Sequence, residues 1–281
     1  PLLDLIINKP ILSEIEFQKV KKSSIDLIKK DKENPFSICF EKWRKIVYSN
    51  HPYAFSTIGD INDVSKITYE DVLYEFKNFK TREKYMISNN SIINGEDLST
   101  LDRKVINENS SLRNYDSDPI NRFEHTNNDS NQTIILIGNK TCSRNSNEYL
   151  PLKVLESYLS FGMSAALFKL FREKNGITYD LGVFNPVRSG NAPFLVYLSV
   201  SNKKALFAFE LLTSLWKNLL LNPLIDSDLF LAKEKLKGSF LLGNQSLDEI
   251  LQRNIQLISY GIMPSSEINV NTKIDEVSSI D

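Results

Sequence analysis

Arg172 and Tyr179 stand seven positions apart in the stretch LFKLFREKNGITYDLGVFNP, residues 167–186, with Gly176 between them. The arginine never loses its charge and presents a planar fork of N–H donors, while the tyrosine adds a neutral phenol donor. A helix ending in Phe171-Arg172-Glu173-Lys174, a sharp turn at Asn175-Gly176 and a strand carrying Tyr179 would aim both donors at one place. Spacing alone leaves the opposite reading open, in which the arginine pairs with a nearby surface acid and the tyrosine packs on a sheet.

Other residues with chemical potential are few. The two histidines are His51, in the loop HPYAF, and His125, in a polar stretch, and together they do not make a zinc site. The chain has no His-x-x-Glu-His helix or inverted form, no G-x-S-x-G elbow, no phosphate-binding glycine loop and no dinucleotide fingerprint. Cys39 and Cys142 lie in separate regions without metal-type spacing, which argues against a disulfide scaffold and for a reducing compartment. Thirty-four basic against 35 acidic side chains leave no electrostatic case for nucleic acid or a membrane surface, so the expected partner is a protein, a peptide or a small molecule. No apolar run approaches the roughly 20 residues that span a bilayer, and no basic-then-apolar leader opens the chain at Pro1. The expectation is a soluble protein, cytoplasmic or otherwise in a reducing compartment.

The elements that must position these residues come from hydrophobic period. Ser13 with Glu16 reads as a capping box ahead of a helix with Phe17, Val20, Ser24, Leu27 and Ile28, and further helices are expected over 36–48, 69–78 and 96–107, with a strand near 84–93. Residues 108–131, rich in Asn, Ser and Asp, read as a linker. Beyond it, strands are expected at 133–138, 178–185 and 193–200, the last placing Phe194, Val196, Leu198 and Val200 on one face. Helices are expected over 147–160 and 164–173, then along the stripe Ala208, Leu211, Leu212, Leu215, Trp216 and Leu219, then from an Asp226 cap and from Ser246 with Glu249. Helices on antiparallel strands make an α+β fold.

The chain also resembles itself. LIINKPILSEIEFQKVKK at 5–22 resembles LLLNPLIDSDLFLAKEKLK at 219–237, and Ile61–Ile67 resembles Ile274–Ile280, both at an offset of about 213. Two copies of one domain would produce that offset. The expected organisation is the C-terminal part of a first domain over 1–107, a linker over 108–131 and a second domain over 132–281 whose end is missing, so that the chain is cut at both ends.

With FGMSAALFKLFREKNGITYDLG, NPLIDSDLFLAKEKLKGSFLLG and HPYAFSTIGDINDVSKITYEDV, the sequence resembles the pitrilysin, insulinase and mitochondrial processing peptidase family of zinc metallopeptidases. The resemblance implies a clam shell of two homologous α+β domains closing over a peptide, with zinc on the first domain in an inverted His-x-x-Glu-His helix completed by a downstream glutamate. It further implies that the second domain supplies an arginine and a tyrosine seven apart, here Arg172 and Tyr179, as donors to the oxyanion of the scissile carbonyl.

This sequence departs from that pattern at the glutamate ligand, which falls at Leu27 with Asp26 beside it. Leucine cannot coordinate a metal, and sharing a stripe with Phe17 and Val20 it reads as core. The expectation is therefore a non-catalytic chain that binds no metal itself and supplies Arg172 and Tyr179 to a zinc-bearing homologous subunit or dimer mate acting on a peptide. Two alternatives stand beside it: a fragment of a complete zinc metalloendopeptidase whose zinc motif lies upstream, and a structural core-type homologue with no proteolytic role.

Overall fold

A computed structural model describes residues 5, 7–49, 51–82, 123–126, 130–178, 180–267 and 269–280. The chain divides into two compact units, Pro1–Met86 and Ile87–Asp281. The strand expected at 84–93, the helix at 96–107 and most of the expected linker lie outside the described residues.

In the first unit the described elements are helical: α1 (Glu14–Asp31), α2 (Pro35–Tyr48), α3 (Ile61–Lys66) and α4 (Tyr69–Thr81). Side chains start each of them. Ser13 accepts the Glu16 N–H at 3.2 Å, Asn34 accepts the Phe36 N–H at 2.9 Å ahead of Pro35, and Thr68 and Asp71 form a reciprocal box. The expected box at Ser13 is only half formed, because the Glu16 carboxylate turns to Lys19 at 2.7 Å instead.

The face that α1 turns inward is Phe17, Lys21, Ser24, Ile25 and Ile28, of which Ile28 is the buried anchor. Leu27 is 55% exposed and Val20 63% exposed, which overturns the expectation that they share a core stripe. The inward face is centred near Ile28, and at 100° per residue Leu27 lies round the helix on the side away from Ile25 and falls outside it, while Lys21 lies beside Ile28. The Lys21 ammonium donates to the carbonyls of Ser65 at 2.6 Å and Ile67 at 2.8 Å, satisfying acceptors at the end of α3.

The second unit is built on a three-stranded antiparallel sheet ordered β1–β3–β2, where β1 is Gln132–Lys140, β2 is Asp180–Phe184 and β3 is Pro193–Ser201. In register, Ile135 and Leu181 both oppose Leu198. Phe194, Val196, Leu198 and Val200 are all buried and pack with Ala208 and Leu212 of α6 (Ala205–Leu221). The expected α6 stripe of Leu211, Leu215, Trp216 and Leu219 lies against the same cluster. Glycine is obligatory at 138: a Cβ there would sit 1.9 Å from the Phe194 carbonyl oxygen of the paired strand.

A second cluster joins α5 (Tyr149–Ser160), α7 (Asp226–Leu242) and α9 (Val270–Glu276) through Val154, Ala232, Leu236, Ile274 and Val277. The fully buried Ser157 hydroxyl donates to the Ala232 carbonyl at 2.8 Å, tying α5 to α7. Asp226 is not a cap: α7 begins at that residue, with Ile225 preceding it, and the carboxylate sits in the first turn where the helix dipole favours it. By contrast α8 (Leu247–Ser259) starts with the full Ser246–Glu249 box. The Lys233 ammonium of α7 donates to the Asp275 carbonyl near the end of α9 at 2.9 Å, as Lys21 of α1 does for α3. The chain is thus an α+β protein, helix-rich with a small antiparallel sheet.

Candidate functional site

Arg172 sits on a segment that is π-helical over Phe168–Lys174, not α-helical as its apolar spacing suggests. Leu167 and Phe171 are both fully buried in the sheet-facing core and pin the segment from below, while Arg172, Glu173 and Lys174 are exposed. The Arg172 guanidinium lies over the Phe168 ring, 4.9 Å from its centroid. A four-residue separation brings these two together because a π turn takes slightly more than four residues, and cation–π contact holds the arginine against the helix side.

The end of the segment is closed by backbone chemistry. Gly176, in the left-handed region at φ 54°, donates to the Arg172 carbonyl at 3.2 Å, and Ile177 donates to Phe171 at 2.8 Å. Each bond spans one residue more than its counterpart in the glycine cap of an α-helix, as the wider turn requires. The Asn175 side-chain amide donates to the Leu170 carbonyl at 2.8 Å, and the Lys204 ammonium to the Gly176 carbonyl at 2.9 Å. After the turn Ile177 re-enters the core, and the buried Thr178 hydroxyl contacts the Ser199 carbonyl, where β2 joins β3. Tyr179 lies outside the described residues.

Among the described residues no three His, Cys, Asp or Glu side chains are placed to hold a metal ion. Where the resemblance leads one to expect a glutamate ligand, the residues present do not fit zinc either: Leu27 has no donor, and the exposed Asp26 carboxylate lies 3.9 Å from the Lys29 ammonium. His51 is engaged otherwise. Its Nδ1 accepts the Tyr53 N–H at 3.0 Å, and its ring packs with Tyr48 and Tyr53. Burial pushes the Cys39 and Cys142 thiols up, so neither is an activated nucleophile. No helix among the described residues is long and apolar enough to cross a membrane.

Two constellations were not legible from sequence. Glu267 bridges Arg144 and Arg253, with an Arg253–Glu267 distance of 2.6 Å, and Arg144 stacks on Tyr149 at 4.1 Å. These residues are far apart in the chain, so no spacing announces the network. Lys169 and Lys235 face a common cavity with Asp228. Only the seven-residue spacing of Asp228 and Lys235 on one helix could have hinted at it.

Residues 92–236, just over half of the chain, match the family described as the peptidase M16 inactive domain. A protein of Rickettsia felis named "Uncharacterized zinc protease" is 24% identical over 286 residues, covering 97% of this chain and 68% of its own length. A protein of the same name from Rickettsia bellii is 22% identical over 217 residues, 76% of this chain and 52% of its own length. The chain therefore spans about two thirds of the length of the first of these relatives and about half of the second. The crystal structure of a peptidase M16 inactive domain from Pseudomonas fluorescens superimposes with a TM-score of 0.75 at 19% identity, over 98% of this chain and 68% of that one. The α+β fold and the matched region agree: this chain belongs to the peptidase M16 inactive-domain family.

Proposed function

We propose that the chain is a non-catalytic peptidase-family chain that holds a peptide and presents Arg172 and Tyr179 to the carbonyl oxygen of the bond being cut. The observation that carries this reading is the exposed guanidinium of Arg172 on a segment anchored by two fully buried side chains and closed by Gly176. Negative charge develops on a scissile carbonyl oxygen during hydrolysis, and a donor already fixed there needs no reorganisation as the charge grows. Arg172 meets that need because its charge is permanent and its fork can address an oxygen from one side. The Phe168 ring covers one face of the guanidinium and holds it beside the helix.

The hydrolytic centre belongs, on this reading, to a zinc-bearing homologous partner, since relatives are named zinc proteases and the described residues here do not fit the metal. The test is reconstitution. The chain should co-purify with a homologue carrying His-x-x-Glu-His, and peptide cleavage should require both. Cleavage at the same rate by that homologue alone would remove the proposed role. The contact with Phe168 favours a second reading, in which Arg172 serves packing only and the chain is a structural homologue.

A further inference from the structure

Lys169, on the segment that carries Arg172, and Lys235 of α7 line one cavity of about 120 Å3. Among the described residues, neither ammonium is in an ion pair or a side-chain hydrogen bond. Tyr158 and Ser164 line the same space, Ala166, Leu231 and Ala232 form its apolar wall, and Asp228 is the one acidic residue among the described residues that line it. Burial, then the charge of Lys169, holds the Lys235 ammonium below the usual lysine range, with Asp228 pulling the other way. Burial, then Asp228, pushes the Tyr158 phenol up, so at neutral pH it remains a hydrogen-bond donor.

Two ammoniums facing one partly apolar cavity repel each other, and the single carboxylate leaves the lining one positive charge in excess. We propose that this cavity binds a small oxyanion, a carboxylate or phosphate group seated between the Lys169 and Lys235 ammoniums. Such a group turns the repulsion into two charge-assisted hydrogen bonds, and the Ser164 and Tyr158 hydroxyls can complete its donor shell. The space is ample for a group of a few heavy atoms, since about 10–15 Å3 admits a water. Asp228 opposes the bound anion and keeps the affinity modest. The site does not depend on Arg172 or on any peptidase role.

The test is calorimetric titration of the chain with inorganic phosphate and, separately, with N-acetylglycine at constant ionic strength. Saturable binding of one equivalent of either is expected, weakened about tenfold or more in Lys169→Met and in Lys235→Met. Asp228→Asn should tighten it, and that variant leaves the buried core untouched. Phosphate binding with N-acetylglycine silent identifies a phosphorylated ligand, and the reverse identifies a carboxylate. Absence of saturable binding by both, an affinity unchanged in the double lysine variant, or an affinity unchanged in Asp228→Asn overturns the proposal.

Discussion

The Ile177 N–H donates to the Phe171 carbonyl across 2.8 Å, six residues back, and this bond closes the wide turn on which Arg172 stands. Phe171 is fully buried and Ile177 nearly so, so the bond is shielded from water at both ends. Core packing thus fixes the backbone on which Arg172 stands, and the Phe168 ring holds its guanidinium.

Gly176 and Gly138 make different demands and give different predictions. At Gly176 a Cβ would touch nothing within 4 Å, but the backbone is left-handed at φ 54°. Gly176→Ala should lower stability by about 1 kcal/mol. At Gly138 an added Cβ meets backbone of the neighbouring strand, which cannot turn aside, so Gly138→Ala should cost about 3 kcal/mol or more. Urea denaturation of both variants checks the order. Equal losses would show that the two sites are not distinguished by conformation and clash.

Glu267 holds two largely buried arginines, with side chains 15% and 21% exposed. Glu267→Gln leaves both charges without their acid, and the expected loss is about 3 kcal/mol, the lower end for breaking a buried ion pair. Replacing Arg253 alone should cost less, because Arg144 still satisfies the carboxylate. Thermal unfolding of the two variants measures this.

Burial, more than the opposing charges around it, pushes the Tyr149 phenol up to about 12. The folded state therefore keeps a proton that the unfolded chain gives up near pH 10. Stability from this group is complete below pH 10 and is lost as pH rises from about 10 to 12, by roughly 3 kcal/mol. Tyr149→Phe should flatten the fall of stability over that window relative to the parent chain, as read by denaturation at a series of pH values.

The strands were readable because Phe194, Val196, Leu198 and Val200 recur at every second position and the apolar runs are short and bounded by turn residues. Their observed bounds differ from expectation by at most two residues. What sequence concealed depends on contacts between distant residues. Leu27 looked like core beside Phe17 and Val20, but Ile28 and Lys21 won the inward face, the lysine because α3 offered it carbonyls. The π character of 168–174 left no trace in composition, since apolar residues at 167, 168, 170 and 171 suit an α-helix equally well. Arg172 was legible through Gly176, whose place after a charged helix end marks a left-handed cap.

The central claim is tested most directly by kcat/KM for peptide cleavage by this chain together with its zinc-bearing homologue, comparing the parent with Arg172→Ala and Tyr179→Phe. If both side chains donate to the developing oxyanion, each substitution lowers kcat/KM by about 100-fold or more, mainly through kcat, with association of the two chains intact. Cleavage at the parent rate in Arg172→Ala would contradict the account and leave Arg172 as a packing residue over Phe168.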